Sequence, residues 1–194
     1  MLPANLVHKT QQDRKAALKR KLPALRTLIR PANARAILPH LPAPGERTEI
    51  ILRGDFVLCD LIPAIIAERG YCPHLRCTTL GLSPANALTL ADLHRKGRTG
   101  KLTLVVSHYF RHVNSADIFA QVKKTLAAVC TLRFSRMHCK VILIPTASGD
   151  FYTISGSGNL RTSGCLEQIA ITNDRTTHDF HAGWIDTVEE EPEK

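Results

Sequence analysis

"MHCKVILIPTASGDFYTISGSGNL", residues 137–160, places a His-x-Lys pair ahead of a Gly-Ser-x-Asn. The apolar run after Lys140 reads as a buried strand, "TASGD" as a turn, and "DFYTIS" as the strand that returns beside it. A hairpin of this kind delivers Gly156-Ser157-Gly158-Asn159 to the end of the sheet that carries His138 and Lys140. In a strand read as continuous over 131–144, His138 and Lys140 are two apart and leave one face, while Cys139, Val141 and Leu143 leave the other. Gly156 and Gly158 permit close backbone approach. Ser157, Asn159 and nearby amides offer hydrogen-bond donors and Lys140 offers charge. Together they predict a pocket for a phosphodiester with a histidine at its centre.

Around the hairpin, strand and helix patterns alternate. Strands are expected over 48–54, 75–82, 101–110, 131–144, 150–155 and 167–172, and helices over 59–70, 83–97, 115–129 and 177–188. The helix from 83 has Ser83 as its cap, Pro84 at its first position and Gly97 past its end. This order predicts an α/β sandwich with a mixed, largely parallel sheet.

The chain has 194 residues, 44% apolar and 22% charged, which fits a globular domain and excludes wholesale disorder. Its net charge of +9 is uneven. Residues 1–45 hold nine Lys and Arg against the single acid Asp13, leaving 17 basic and 16 acidic residues beyond them. A helix is expected over 11–30, with Leu18, Leu22, Leu25 and Ile29 on one face and a break or kink at Pro23. The Pro-rich stretch that follows sets the boundary, giving a basic helical arm and linker over 1–45, a domain over 46–188 and an acidic tail over 189–194. Lys15, Lys19, Arg20 and Lys21 of the arm, with Arg133 and Arg136 before the motif, are the candidate nucleic-acid contacts. A solubilising tail is the plainer reading of the same charge.

No apolar run is long enough to span a bilayer and no leader-like segment opens the chain, so a cytosolic protein without membrane association is expected. The six cysteines, 59, 72, 77, 130, 139 and 165, then read as reduced thiols. "YCPHLRC" groups Cys72, His74 and Cys77, but no second pair stands at finger spacing, and neither metal nor cofactor is expected.

The pattern "HCK … GSGN … E" resembles the signature of the phospholipase D superfamily, and the element order over about 48–186 resembles one domain of that superfamily, in a single-motif, nuclease-like branch. The resemblance implies an α-β-α sandwich and metal-independent phosphodiester cleavage through a phosphohistidine. His138 would be the nucleophile, Lys140, Ser157 and Asn159 would grip the phosphate, and Glu167 would orient a histidine. Two departures stand out: Pro145 occupies the place of the usual aspartate five residues after the lysine, and the lysine-to-Gly-Ser interval is longer. The mechanism takes two histidines, one attacking and one protonating the leaving oxygen. One good motif per chain therefore implies a homodimer. His94 and Lys96 repeat His-x-Lys at a helix end, where they read as cations favourable to the dipole. His108 and His112 read as loop or surface residues, with lining of the same pocket as the alternative, and His178 and His181 as packing or dimer-contact residues near Trp184. The activity expected first is DNA cleavage, with DNA ahead of RNA. A non-catalytic DNA-binding module of the same fold and a phospholipid-processing enzyme are the alternatives.

Overall fold

The structure, a computed structural model, describes residues 24–29, 32–54, 56–161 and 164–191. Eight strands form one sheet: β1 (Ala24–Ile29), β2 (Glu46–Leu52), β3 (Cys72–Thr79), β4 (Thr99–Ser107), β5 (Thr131–Ser135), β6 (Val141–Pro145), β7 (Phe151–Gly156) and β8 (Glu167–Asn173). Their spatial order is β1-β2-β8-β7-β6-β3-β4-β5. The helices are α1 (Leu61–Arg69), α2 (Pro84–Arg95), α3 (Tyr109–Val113), α4 (Ala116–Leu126) and α5 (Arg175–Thr187), with short 3-10 segments at Ala34–His40 and Leu58–Asp60. Three of the seven strand pairings are parallel, so the sheet is mixed as expected but not dominated by parallel pairs.

The two faces of the sheet are separated by strand alternation. Leu104, Val106, Ile142, Ile144 and Ile154 join the larger core with residues of α1, α2 and α4. Val105, Val141 and Leu143 face the other way, against Ile185 of α5. In α1, Leu61, Ile62, Ile65 and Ile66 are all fully buried, and each contributes roughly 1.5–3 kcal/mol relative to exposure. Helix starts follow the expected chemistry. Ser83 and Asn86 form a reciprocal capping box on α2, and Asp174 accepts from the Thr177 amide to open α5. Gly70 closes α1 at φ 89°, a left-handed geometry that favours glycine.

Two expectations are corrected. Residues 24–29 form strand β1, parallel to β2, rather than the end of a helix over 11–30. Pro23 removes a helical amide donor just before it, and the neighbouring β2 offers a ladder instead. The 3-10 segment behind β1 also enters the core through Ala34 and Ile37. Residues 1–23, with Lys15, Lys19, Arg20 and Lys21, lie outside the described residues.

The continuous strand over 131–144 is the second correction, because it is two strands. β5 runs parallel to β4, itself parallel to β3, whereas β6 runs antiparallel to β3. The chain must therefore reverse and cross between them, and residues 136–140 make that crossing.

Candidate active site

The carboxyl ends of β3, β4 and β5, the start of β6, the end of β7 and the start of β8 share one edge of the sheet. His138 and Lys140 lie in the crossing from β5 to β6, over the ends of β4 and β3. Three inter-strand spacings amount to roughly 14 Å, and an extended chain covers about 3.3–3.6 Å per residue. The six steps from Ser135 to Val141 reach about 20 Å, so the crossing has room for a tight turn, in which the Met137 amide donates to the Ser135 carbonyl at 3.0 Å. The far end of the crossing is tied down by Thr78, whose hydroxyl donates to the Cys139 carbonyl at 3.2 Å and accepts from the Val141 amide at 2.9 Å.

His138 is exposed and Lys140 half-buried. The Lys140 Nζ lies 3.3 Å from His138 Nδ1 and donates to the His138 carbonyl at 3.1 Å. A lysine ammonium can only donate, so this contact leaves the ring proton of a neutral His138 on Nε2. Burial lowers the Lys140 pKa, opposed by the negative charges of Glu167 and Cys139. Beneath the lysine stem is an apolar void of about 10 Å³, bounded by Ile142, Ile154 and Ile169 among others, room for no more than a single water.

The hairpin from β6 to β7 brings Gly-Ser-x-Asn to the same edge, as expected from the sequence. At Gly156, β7 passes close against β8. A Cβ there would collide with the Gln168 carbonyl oxygen and stand 2.7 Å from the Ile169 Cα, both of them backbone. That approach places the Ser157 hydroxyl where it donates to the Glu167 carboxylate and accepts from the Gln168 amide at 3.0 Å. Asn159 turns its Oδ1 toward the Leu80 amide at 3.1 Å, which fixes the amide orientation, and its Nδ2 makes no hydrogen bond among the described residues.

The residues that sequence reasoning missed are Thr78 and Thr79. The buried Thr79 hydroxyl donates to the Gly81 carbonyl at 2.9 Å and accepts from the Leu160 amide at 3.3 Å, with Asn159 Oδ1 at 3.4 Å. Consecutive hydroxyls at the end of β3 thus hold both motif halves, one the His-x-Lys crossing and the other the Gly-Ser-x-Asn turn. The available signal was a pair of hydroxyl residues ending an apolar run, "LRCTTLGL".

Pro145 stands at the opposite end of β6. Five residues of strand put it about 16 Å from Lys140, beyond the part of β6 that pairs with β3. The departure from the aspartate pattern therefore touches the hairpin turn rather than the His-Lys end. Asp150, in that turn, accepts from the Asn173 amide nitrogen at 2.7 Å.

Arg133 donates to the Asp186 carbonyl at 3.1 Å and Arg136 pairs with Glu191 at 3.8 Å, so both engage the C-terminal segment. His178 is buried against the Phe151 ring, and the Trp184 indole donates to His181 at 3.1 Å. His94 and Lys96 sit at the end of α2, where Lys96 meets Asp92 at 3.3 Å. In "YCPHLRC", Cys72 and Cys77 are both buried in the larger core, and the His74 ring meets the Thr103 hydroxyl at 2.9 Å. No group of three or more His, Cys, Asp or Glu suited to a metal occurs among the described residues. No helix among them is long and apolar enough to cross a membrane.

The chain matches no family model and no curated protein. It is similar in structure to a polyphosphate kinase from Porphyromonas gingivalis, with a TM-score of 0.54 at 12% identity, over 76% of this chain and 27% of that one. The chain thus spans about a quarter of the kinase's length, and the likeness is one of fold. That fold is the phospholipase D-like α/β sandwich with a mixed sheet. Placement in a single-motif, nuclease-like branch is corrected by the same finding: no family model supports the branch, and the structural likeness is to a kinase of polyphosphate.

Proposed function

We propose that the protein is a phosphoryl-transfer enzyme in which His138 takes up a phosphoryl group and passes it on. The observation that carries this reading is the convergence at one sheet edge of a histidine, a partly desolvated lysine on its ring nitrogen, an Asn159 amide with unused donors, and a serine-carboxylate pair. With substrate bound, the Lys140 donors leave the ring for non-bridging phosphate oxygens, where developing charge makes them worth most. The His138 proton then shifts to Nδ1 and Nε2 attacks phosphorus. The bond from phosphorus to the leaving oxygen breaks, that oxygen takes a proton, and water or a second acceptor later cleaves the phosphorus–nitrogen bond. An exposed His138 in a chain with one complete motif favours a homodimer, the partner's histidine supplying the proton.

For the substrate, nine basic residues within the first 45 favour a DNA phosphodiester. The likeness to a polyphosphate kinase favours a phosphoanhydride as the second reading.

The test incubates the protein, in excess EDTA, with plasmid DNA, single-stranded DNA, a bis-aryl phosphodiester and inorganic polyphosphate. Acid-labile phosphate bound to protein is trapped in parallel. Turnover with a trapped phosphohistidine is expected for one of these substrates. It should be lost by at least about 10³-fold in His138→Ala, the scale of removing a nucleophile. Turnover that survives His138→Ala, or no adduct and no turnover with any substrate, would refute the assignment and leave a non-catalytic phosphate-binding module.

A further inference from the structure

The turn that carries Ser157 and Asn159 leads into a second cation at this edge of the sheet. Arg161 follows Leu160, which is buried and held through both backbone groups. The Leu160 amide donates to the Thr79 hydroxyl at 3.3 Å, and its carbonyl accepts from the Cys59 amide at 3.2 Å. These anchors, one at the end of β3 and one in the 3-10 segment Leu58–Asp60, fix where the next residue leaves the turn. The Arg161 side chain lies beside Gly81. Its Nε and Cζ stand 3.5 Å and 3.6 Å from the point that a Gly81 Cβ would occupy, and Phe110 Cδ2 stands 3.6 Å from the same point. Asn159 reaches the residue before, with Oδ1 on the Leu80 amide at 3.1 Å. The Asn159 amide and the Arg161 guanidinium therefore rest against consecutive residues, whose Cα atoms are about 3.8 Å apart.

Arg161 is exposed and makes no hydrogen bond or ion pair among the described residues, whereas Arg76 and Arg136 are paired with Asp186 and Glu191. A guanidinium does not lose its charge in a protein. Its flat fork of donors fits two phosphate oxygens at once, where an ammonium offers a point charge. Packing against Gly81 and Phe110 settles part of the side chain's position before a ligand arrives, which lowers the ordering cost of binding.

We propose that Arg161 extends the transfer site by one phosphate. Lys140 and Asn159 hold the phosphate that His138 attacks, and Arg161 holds its neighbour, so the substrate is a chain of phosphates rather than a lone phosphoester. Such a chain is a nucleic-acid strand or inorganic polyphosphate. The inference rests on the transfer reading for its location, but it concerns binding and not the covalent step.

Fluorescence anisotropy tests it in a His138→Ala background, with a labelled single-stranded oligonucleotide as probe and inorganic polyphosphate as unlabelled competitor. Nothing is turned over there, so a failure of transfer at His138 leaves the comparison intact. Adding Arg161→Ala should weaken binding roughly tenfold, the scale of one charge-assisted hydrogen bond. It should also flatten the slope of log affinity against log salt by about 0.7 for the strand. Arg161→Lys should restore the slope but not the full affinity. Lys140→Ala should weaken the same ligands. Arg98→Ala removes an equal charge at the opposite edge, between α2 and β4, and should change nothing. Equal losses for strand and polyphosphate identify the phosphates themselves as what is read, and a loss confined to one identifies that chain as the ligand. Binding unchanged by Arg161→Ala overturns the proposal. So does an equal loss in Arg98→Ala, which marks a general charge effect. A loss with Arg161→Ala but none with Lys140→Ala overturns it too, by putting the guanidinium at another site.

Discussion

Replacing Thr79 by valine removes one oxygen and almost no volume, and it should cost the protein about 2 kcal/mol. The hydroxyl is fully buried at the end of β3. It donates to the Gly81 carbonyl and accepts from the Gly81 and Leu160 amides. Valine cannot replace any of these, and water has no access, so the freed groups stay unpaired; removing one buried partner in this way costs about 1–3 kcal/mol. For a chain of this size ~1 kcal/mol moves the melting temperature by about 2–4 °C, so a fall of roughly 4–8 °C is expected in a thermal scan. Thr79→Ser keeps the oxygen and loses only a methyl, and should fall by about half as much. Asn159 would also lose a hydrogen-bonding neighbour, so phosphohistidine trapping should weaken in the valine variant at temperatures where it remains folded. A valine variant as stable as the parent, or less affected than the serine variant, would refute the reasoning that this hydroxyl clamps the turn.

Gly156→Ala should destabilise by more than the usual ~1–3 kcal/mol of overpacking, because the new methyl meets backbone that cannot swing aside; equilibrium urea unfolding measures it. Thiol labelling followed by mass spectrometry should modify the exposed Cys139 and Cys165 first. Cys59, Cys72 and Cys130 should lag, since burial raises their thiols to about 12, 11 and 12. Stability should fall as pH drops from about 6.5 toward 4. Burial, first among the causes, holds His74 down to about 4 in the folded protein, so the unfolded chain takes up that proton first. The contribution is complete above the ordinary value of 6.5, and burial lowers His178 and His181 in the same direction. His74→Gln should flatten that slope in unfolding titrations across the window. Asp186 works with the same sign lower on the scale. Its paired hydrogen bonds from Arg76, at 2.9 Å and 2.8 Å, depress its pKa. Asp186→Asn should therefore destabilise at neutral pH and lose its effect as pH falls below the carboxylate range.

The parts of this fold that sequence made legible are those governed by neighbours along the chain. Ser83, Pro84 and Gly97 bracket α2 because caps and turns are local chemistry. The "TASGD" turn pairs β6 with β7 in the expected direction because a short hairpin has little choice. His138, Lys140, Ser157 and Asn159 reach one edge for the same reason. What was not legible depends on partners distant in sequence. The apolar pattern over 131–144 is continuous, and nothing in it records that β5 must lie parallel to β4 while β6 lies antiparallel to β3. β1 follows from an available ladder on β2, not from its own residues. Thr79 gains its role only when β3 meets a turn some eighty residues later.

The order of the strands has a consequence for how the site comes into being. β6, β7 and β8 form an antiparallel meander from 141 to 173, a set of short-range contacts of the kind that forms early. Lys140, Ser157, Asn159 and Glu167 all ride on or beside it, but the threonines that fix them arrive with β3, across a much longer loop. The motif residues thus share short-range contacts that do not need β3, while their anchoring does. Opening the β3–β6 seam alone would release that anchoring while leaving the meander's own amides protected from exchange. The proposed transfer site would then depend on the β3–β6 seam through Thr78 and Thr79, although neither threonine belongs to the motif.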